Sequence, residues 1–337
     1  MDTQSHRPKR YNRGMRRGLL YLSRKDVERV GLPMRSIIDA VDRMFRLKGR
    51  GRVEMPPKPG IHPRPDAFIH AMPAYIPAMK SAGLKWVSGY PQNQKRGLPY
   101  INGLLILNDP ATGMPLCVMD CTWITAQRTG AATAVAAKYL ARPESASVGI
   151  LACGVQGRSN LEALACLFKI QKVAAYDVRP GLAARYAEEM GARLGLEIEA
   201  VNRPEDAVRG MDLIVTSGPI LKKPRPVIEA EWVAPGAFAS PVDFDSYWKP
   251  AALRQFDLLA TDDKAQFQYY RKDGYFQKTP PPYADLGELA AGRRRGRASA
   301  RQRTASINLG LALEDMATAI RVYEKARARG IGRELPI

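Results

Sequence analysis

Only three histidines, His6, His62 and His70, occur in 337 residues. None forms a ligand-like pair, which argues against a histidine-rich metal centre. The four cysteines, Cys117, Cys121, Cys153 and Cys166, lie in apolar contexts without CxxC spacing and read as reduced core or turn thiols. No run of about 18 apolar residues is present, so no membrane-spanning helix and no membrane partner are expected. The opening "MDTQSHRPKRYNRGMRRG" lacks the apolar centre of a signal peptide, and the expected compartment is the cytoplasm. Acidic residues are scarce: 33 Asp and Glu against 52 Lys and Arg leave a formal charge of +19. Such a balance raises nucleic acid as a partner. The excess is local, however, with six Lys or Arg against one Asp in residues 1–17 and six Arg in "RRRGRASARQR" (293–303). With no zinc finger, aromatic ribonucleoprotein motif or helix-turn-helix signature, nucleic acid is not the expected partner. Residues 1–17 read as a basic disordered leader, and 293–303 as a solvated loop.

With 45% hydrophobic residues the chain can bury a sizeable core, and its length favours two domains. Ser23 is a candidate N-cap, and "RSIIDAVDRMFRLKGRG" sets Ile37, Ile38, Val41, Met44 and Phe45 on one helical stripe that ends at Gly49 to Gly51. A Pro-rich connector, "GRVEMPPKPGIHPRP", leads to strand-like segments at "AFIHAMPAYI", "GLKWVSGYP" and "INGLLILNDPATGMPLCVMD", with a hairpin turn around Asp109 to Gly113. From residue 124 onward strands alternate with helices, which favours a parallel, doubly wound α/β sheet. A last helix, "NLGLALEDMATAIRVYEKARARG", spaces Leu309, Leu313, Met316, Ile320 and Tyr323 as one stripe.

The stretch "ILACGVQGRSNLEAL" (150–164) has the form of a strand end, a tight turn and a helix start, the setting of a dinucleotide fingerprint. Its first glycine is replaced by Ala152, whose methyl is tolerable there if φ stays negative. Gly154 leaves the backbone open to a pyrophosphate, which the first N–H groups of the helix, from Val155 and Gln156, would meet. Asp177 ends the next strand, where a carboxylate accepts ribose hydroxyls and repels a 2′-phosphate. NAD is therefore favoured over NADP, with Arg179 as the feature pulling the other way.

The segments "GLKWVSGYPQN", "NDPATGMPLCVMDCTWITAQRTGAATAVAAKYLAR", "CGVQGRSNLEAL", "AYDVRP" and "NLGLALEDMATA" resemble, in order and spacing, the ornithine cyclodeaminase and mu-crystallin family from Tyr21 to Gly332. The resemblance implies a homodimer whose subunit joins a Rossmann domain to a discontinuous α+β substrate-binding and dimerisation domain. The expected division is 18–130 with 309–337 for the latter and 131–308 for the Rossmann domain. It also implies a small amino or imino acid as substrate, bound in the cleft between them.

On the positions that match the family, Lys85 and Arg128 correspond to cations that hold the substrate carboxylate, Lys85 being also a catalytic candidate that polarises the site, and a planar guanidinium suits bidentate capture. Arg52 is the candidate for a third cation. Asp245, reached along "GAFASPVDFD" with Asp243 one register away, is the candidate proton-transfer group; the bland alternative is a helix cap before "YWKPAAL". Thr129 and Ser217 complete the candidate cofactor-binding set of Gly154, Val155, Gln156, Asp177 and Arg179. Two departures bear on the substrate. The family's Gly-Lys-Thr-Glu run after the aspartate is replaced by "SYWKP", and His70 stands where ornithine-specific members carry a glutamate. A mostly neutral imidazole counters a distal ammonium poorly. The leading expectation is an NAD-dependent amino-acid dehydrogenase or imine reductase. The alternatives are a cyclodeaminase that regenerates NAD within its cycle and a non-catalytic binder of small ligands.

Overall fold

The computed structural model describes residues 18–337 apart from residue 65. The expected leader, residues 1–17, lies outside the described residues. The chain opens with β1 (Gly18–Leu22), α1 (Arg24–Val30) and α2 (Met34–Gly49). A connector leads to β2 (Gly60–Arg64), β3 (Ala67–Ile76), β4 (Ser81–Gly89), β5 (Ile101–Asn108) and β6 (Pro115–Asp120). The long α3 (Thr122–Leu140) then enters an alternating region: β7 (Ser147–Leu151), α4 (Val155–Ala165), β8 (Lys172–Tyr176), α5 (Leu182–Leu194), β9 (Ile198–Ala200), β10 (Leu213–Thr216) and β11 (Phe238–Pro241). There follow α6 (Pro250–Arg254), β12 (Leu258–Thr261), α7 (Lys264–Lys272), β13 (Ala284–Asp285), α8 (Leu286–Ala290), β14 (Thr304–Ile307), α9 (Ala312–Ala328) and β15 (Arg333–Pro336).

The strands form two sheets. One is mixed, in the order β15-β1-β6-β5-β4-β3-β2; the other is parallel throughout, in the order β13-β12-β14-β11-β10-β7-β8-β9. The parallel sheet reverses its winding between β7 and β10, the doubly wound Rossmann pattern. Its central strands β7 and β10 are mostly apolar because alternate residues feed two cores: Val148, Ile150, Leu213 and Val215 enter one, Leu151 and Ile214 the other. The mixed sheet instead alternates. Along β4, Lys85 and Val87 point into the core, whereas Trp86 between them is 45% exposed.

Three sequence expectations change in detail. The first helix is two: Ser23 caps only α1, which stops at Gly31 in a left-handed conformation (φ 57°), and Pro33 starts α2 afresh. The last helix starts at Ala312, not at Leu309, because the backbone N–H groups of Leu309 and Gly310 both donate to Asp262 Oδ2 at 2.7 Å. The Arg-rich segment is not simply solvated. Arg297 donates to the carbonyls of Leu140, Gly236 and Ala237, and Arg303 donates to that of Val233, while Arg293, Arg294, Arg295 and Arg301 stay exposed. Helix α3 runs unbroken past residue 130. Gly130 lets it press on α4, since a Cβ there would stand 2.3 Å from the Ser159 carbonyl oxygen. Among the described residues no helix is long and apolar enough to cross a membrane.

Candidate active site

Gly154 follows β7, Asp177 β8, Ser217 β10, Asp243 and Asp245 β11, and Asp262 β12. All sit just past the carboxyl ends of parallel strands, the edge where doubly wound sheets bind ligands.

At the turn after β7, Ala152 has φ 76°, against the expectation of a negative value. The turn needs the left-handed region whichever residue stands there, and alanine bears it at a cost of about 1–2 kcal/mol. The conformation is held from two sides: Ala152 N–H donates to the Tyr176 carbonyl at 2.8 Å, and Ser217 Oγ donates to the Ala152 carbonyl at 2.9 Å. Gly154 opens α4 with no side-chain cap, and a Cβ there would meet nothing within 4 Å. The uncapped N–H groups of an eleven-residue helix and this open space fit a dinucleotide pyrophosphate. Val155 is 65% exposed at the same end. Gln156 turns inward, its side-chain oxygen accepting from Ser159 Oγ at 3.3 Å. Gly157 serves packing, for a Cβ would fall 2.6 Å from the Ala152 carbonyl oxygen.

Asp177 accepts from Cys153 N–H at 2.9 Å and from Arg179 N–H at 2.9 Å, and pairs with the Arg179 side chain at 3.2 Å. These bonds outweigh the cost of its burial and hold the carboxyl below its ordinary value. Arg158, which sequence reasoning missed, braces the turn by donating to the Cys153 and Gly154 carbonyls. Thr129 spends its hydroxyl on the Thr125 carbonyl of its own helix, at 2.7 Å.

Lys85 and Arg128 come together as expected, on an acidic pair that was not foreseen. Lys85, 1% exposed, lies 2.6 Å from Asp315 Oδ2; Arg128 donates to Glu314 Oε2 at 2.7 Å and to Asp315 Oδ1 at 3.1 Å. Burial pushes the Lys85 ammonium down, with Asp315 opposing, whereas the two acids hold the Arg128 guanidinium up despite its burial. Glu314 is raised, chiefly by burial. The signal for the acids was available: "LEDMA" puts two carboxylates directly between apolar neighbours of a helix.

The third cation at this cluster is Lys58, not Arg52. Arg52 is exposed just past α2, its backbone N–H donating to the Leu47 carbonyl. Lys58, from the connector "MPPKPG", donates to the Gly310 carbonyl at 3.4 Å and sits 5.1 Å over the Tyr270 ring. Burial pushes its ammonium down to about 8, with Asp262 opposing and the Arg128 charge reinforcing the shift. Asp262 in turn is pushed up to about 8 by burial and by Glu314. His70 on β3 stacks on Phe68 at 4.3 Å, and burial together with the Lys58 charge pushes its imidazole down to about 4. It is neutral at pH 7.

Asp243 and Asp245 differ in their hydrogen bonds. Asp243 has both oxygens taken, accepting from Thr216 Oγ1 at 2.6 Å and from Gly218 N–H at 3.1 Å. Burial pushes it up to about 7. Asp245 accepts from Thr279 Oγ1 at 2.8 Å through Oδ2, and its buried Oδ1 has no partner among the described residues. Burial raises this carboxyl too. Neither is a helix cap, since α6 starts at Pro250 behind Lys249. The "SYWKP" segment locks the loop instead: Trp248 Nε1 donates to Thr216 Oγ1 at 3.0 Å.

The profile of the ornithine cyclodeaminase/mu-crystallin family matches residues 20–330. An alanine dehydrogenase of Archaeoglobus fulgidus is 36% identical over 327 residues, covering 94% of this chain and 98% of its own. Two solved structures superpose with a TM-score of 0.85. One is the Δ1-pyrroline-2-carboxylate reductase of Thermococcus litoralis in complex with NADH and L-proline, 34% identical over 94% of this chain and 100% of that one. The other is an archaeal alanine dehydrogenase dimer with bound NAD, 35% identical over 95% and 99%.

Proposed function

Because the chain belongs to the ornithine cyclodeaminase/mu-crystallin family, we propose the following reading of its site. The protein is an NAD-dependent oxidoreductase acting on the C–N bond of a small amino or imino acid. The observation that carries the site assignment is the convergence of Lys85, Arg128 and Lys58 at the carboxyl edge of a sheet with an open cofactor turn. The three cations take the substrate carboxylate. Glu314 and Asp315 hold the clamp charged and in place before substrate arrives, so little reorganisation is needed on binding.

The N–H groups from Gly154 to Gln156 hold the pyrophosphate, Asp177 with Arg179 lies at the adenosine ribose, and Thr129 and Ser217 support the nicotinamide half. Bound NAD supplies a hydride acceptor for Cα, and in its reduced form a donor. Asp245 takes the proton from the amine as the C–N bond is oxidised and returns it in reduction. A neutral His70 near Lys58 offers no counter-charge to a distal ammonium, which favours substrates with small uncharged side chains over ornithine.

We read the working unit as a homodimer. Trp86 and Leu104 face each other across β4 and β5 on the outer side of the mixed sheet, both nearly half exposed, and a second copy would cover them. The four cysteines are free, which supports a reducing compartment such as the cytoplasm. The test is incubation with NADH, ammonia and a panel of 2-oxo acids, followed at the reduced-nicotinamide absorbance. Net loss of NADH with a small 2-oxo acid is expected. Conversion of ornithine to proline without net change in NADH would overturn the dehydrogenase reading in favour of a cyclodeaminase.

A further inference from the structure

The segment after α7 is braced at several points. Arg271 donates to the Thr279 carbonyl and lies 5.1 Å over the Phe267 ring, and Gln277 Nε2 donates to the Arg271 carbonyl at 2.8 Å. Phe276 is held left-handed (φ 56°), and its carbonyl accepts from Thr279 N–H at 3.2 Å. From the loop after β10, Lys222 pairs with Asp273 at 3.0 Å and sits 5.4 Å over the Tyr275 ring. A left-handed phenylalanine persists only where its surroundings impose it. The outcome of this bracing is that the Thr279 side chain, 5% exposed, is delivered to Asp245 Oδ2 at 2.8 Å. Oδ1 is left buried and unpartnered among the described residues. One oxygen of the carboxylate is anchored and the other is free.

We propose that Thr279 is a positioning residue for the proton transfer: its hydroxyl fixes the Asp245 carboxylate so that Oδ1 is presented to the reacting nitrogen. This rests on the reading of Asp245 as the proton-transfer group. The hydrogen bond also favours the ionised carboxylate, against burial. The charged and titratable neighbours acting on Asp245 are Arg271, which favours its ionised form, and Asp243, which repels it.

Three variants of the full chain decide the matter: Thr279→Val, Thr279→Ser and Asp245→Asn. The titration of Asp245 is read from the carboxyl infrared band that Asp245→Asn removes. In Thr279→Val this titration is expected about one pH unit higher, as loss of one charge-assisted hydrogen bond implies. The kcat for NAD⁺-linked oxidation of L-alanine or L-proline should fall about tenfold, with KM and NADH affinity within about twofold. Thr279→Ser should restore both the titration and the rate. An unmoved titration in Thr279→Val, or a serine variant no better than valine, overturns the proposal while leaving the role of Asp245 intact. Full turnover by Asp245→Asn overturns that role and the proposal with it.

Discussion

The ammonium of Lys85 lies 2.6 Å from the carboxylate of Asp315, and both side chains are shut off from solvent. Removing Asp315 strands the buried Lys85 ammonium, whereas removing Lys85 leaves Asp315 still paired with Arg128 at 3.1 Å. Asp315→Ala should therefore destabilise the protein by about 3–5 kcal/mol in urea unfolding, and Lys85→Met by less, because Arg128 still neutralises Asp315. The double change Lys85→Met with Asp315→Leu should recover much of that loss, while amino-acid turnover stays abolished. A double variant no more stable than Asp315→Ala would mean that the pair is not energetically coupled.

With Lys58 in the proposed carboxylate clamp, substrate binding and stability should respond to pH in opposite directions. As pH rises through about 8 its ammonium loses charge, so KM for the amino acid should climb. Unfolded, the lysine keeps its proton to about 10.4, so between these values the unfolded chain binds more protons and the folded state gains stability with rising pH. Lys58→Arg, permanently charged, should flatten both trends. Steady-state kinetics and urea unfolding between pH 7 and about pH 10.4 check the two arms separately.

Gly154 and Gly157 should separate cofactor binding from folding. A methyl at Gly154 meets open space at φ −84°, so Gly154→Ala should fold normally yet weaken NADH binding at least about tenfold by standing where the pyrophosphate approaches. Gly157→Ala drives a methyl into the Ala152 carbonyl and should lower the unfolding midpoint instead. Calorimetric titration alongside thermal melts would show whether the two effects part as expected.

Ala152 carries a strain that glycine would relieve. Ala152→Gly should raise stability by about 1 kcal/mol, net of the extra freedom glycine brings to the unfolded chain, with NADH affinity kept. A destabilised variant with weakened cofactor binding would show that the methyl packs usefully in the turn.

The parallel sheet and its turn were legible because strand, turn and helix each leave a local pattern in the chain, and "AYD" after the second strand fixed the register of Asp177. Lys85 and Arg128 were legible through motif alone. What met them was legible only in part: "LEDMA" marks Glu314 and Asp315 as acids among apolar residues, but only tertiary packing reveals that they pair with the clamp and that Asp262 lies beside it. Lys58 escaped notice because prolines flank it and the stretch reads as a linker. The sign of φ at Ala152 escaped for a related reason: the demand for a left-handed residue comes from the bonds that seat the turn, to Tyr176 and Ser217, and not from its own side chain.

Helix α3 holds Arg128 and, two positions on, the Gly130 that presses against the cofactor helix α4. A single rod thus sets the spacing between the proposed grip on the acid group and the proposed seat of the dinucleotide. On the proposed assignment, selection among side chains falls to the far end, around His70 and Phe68.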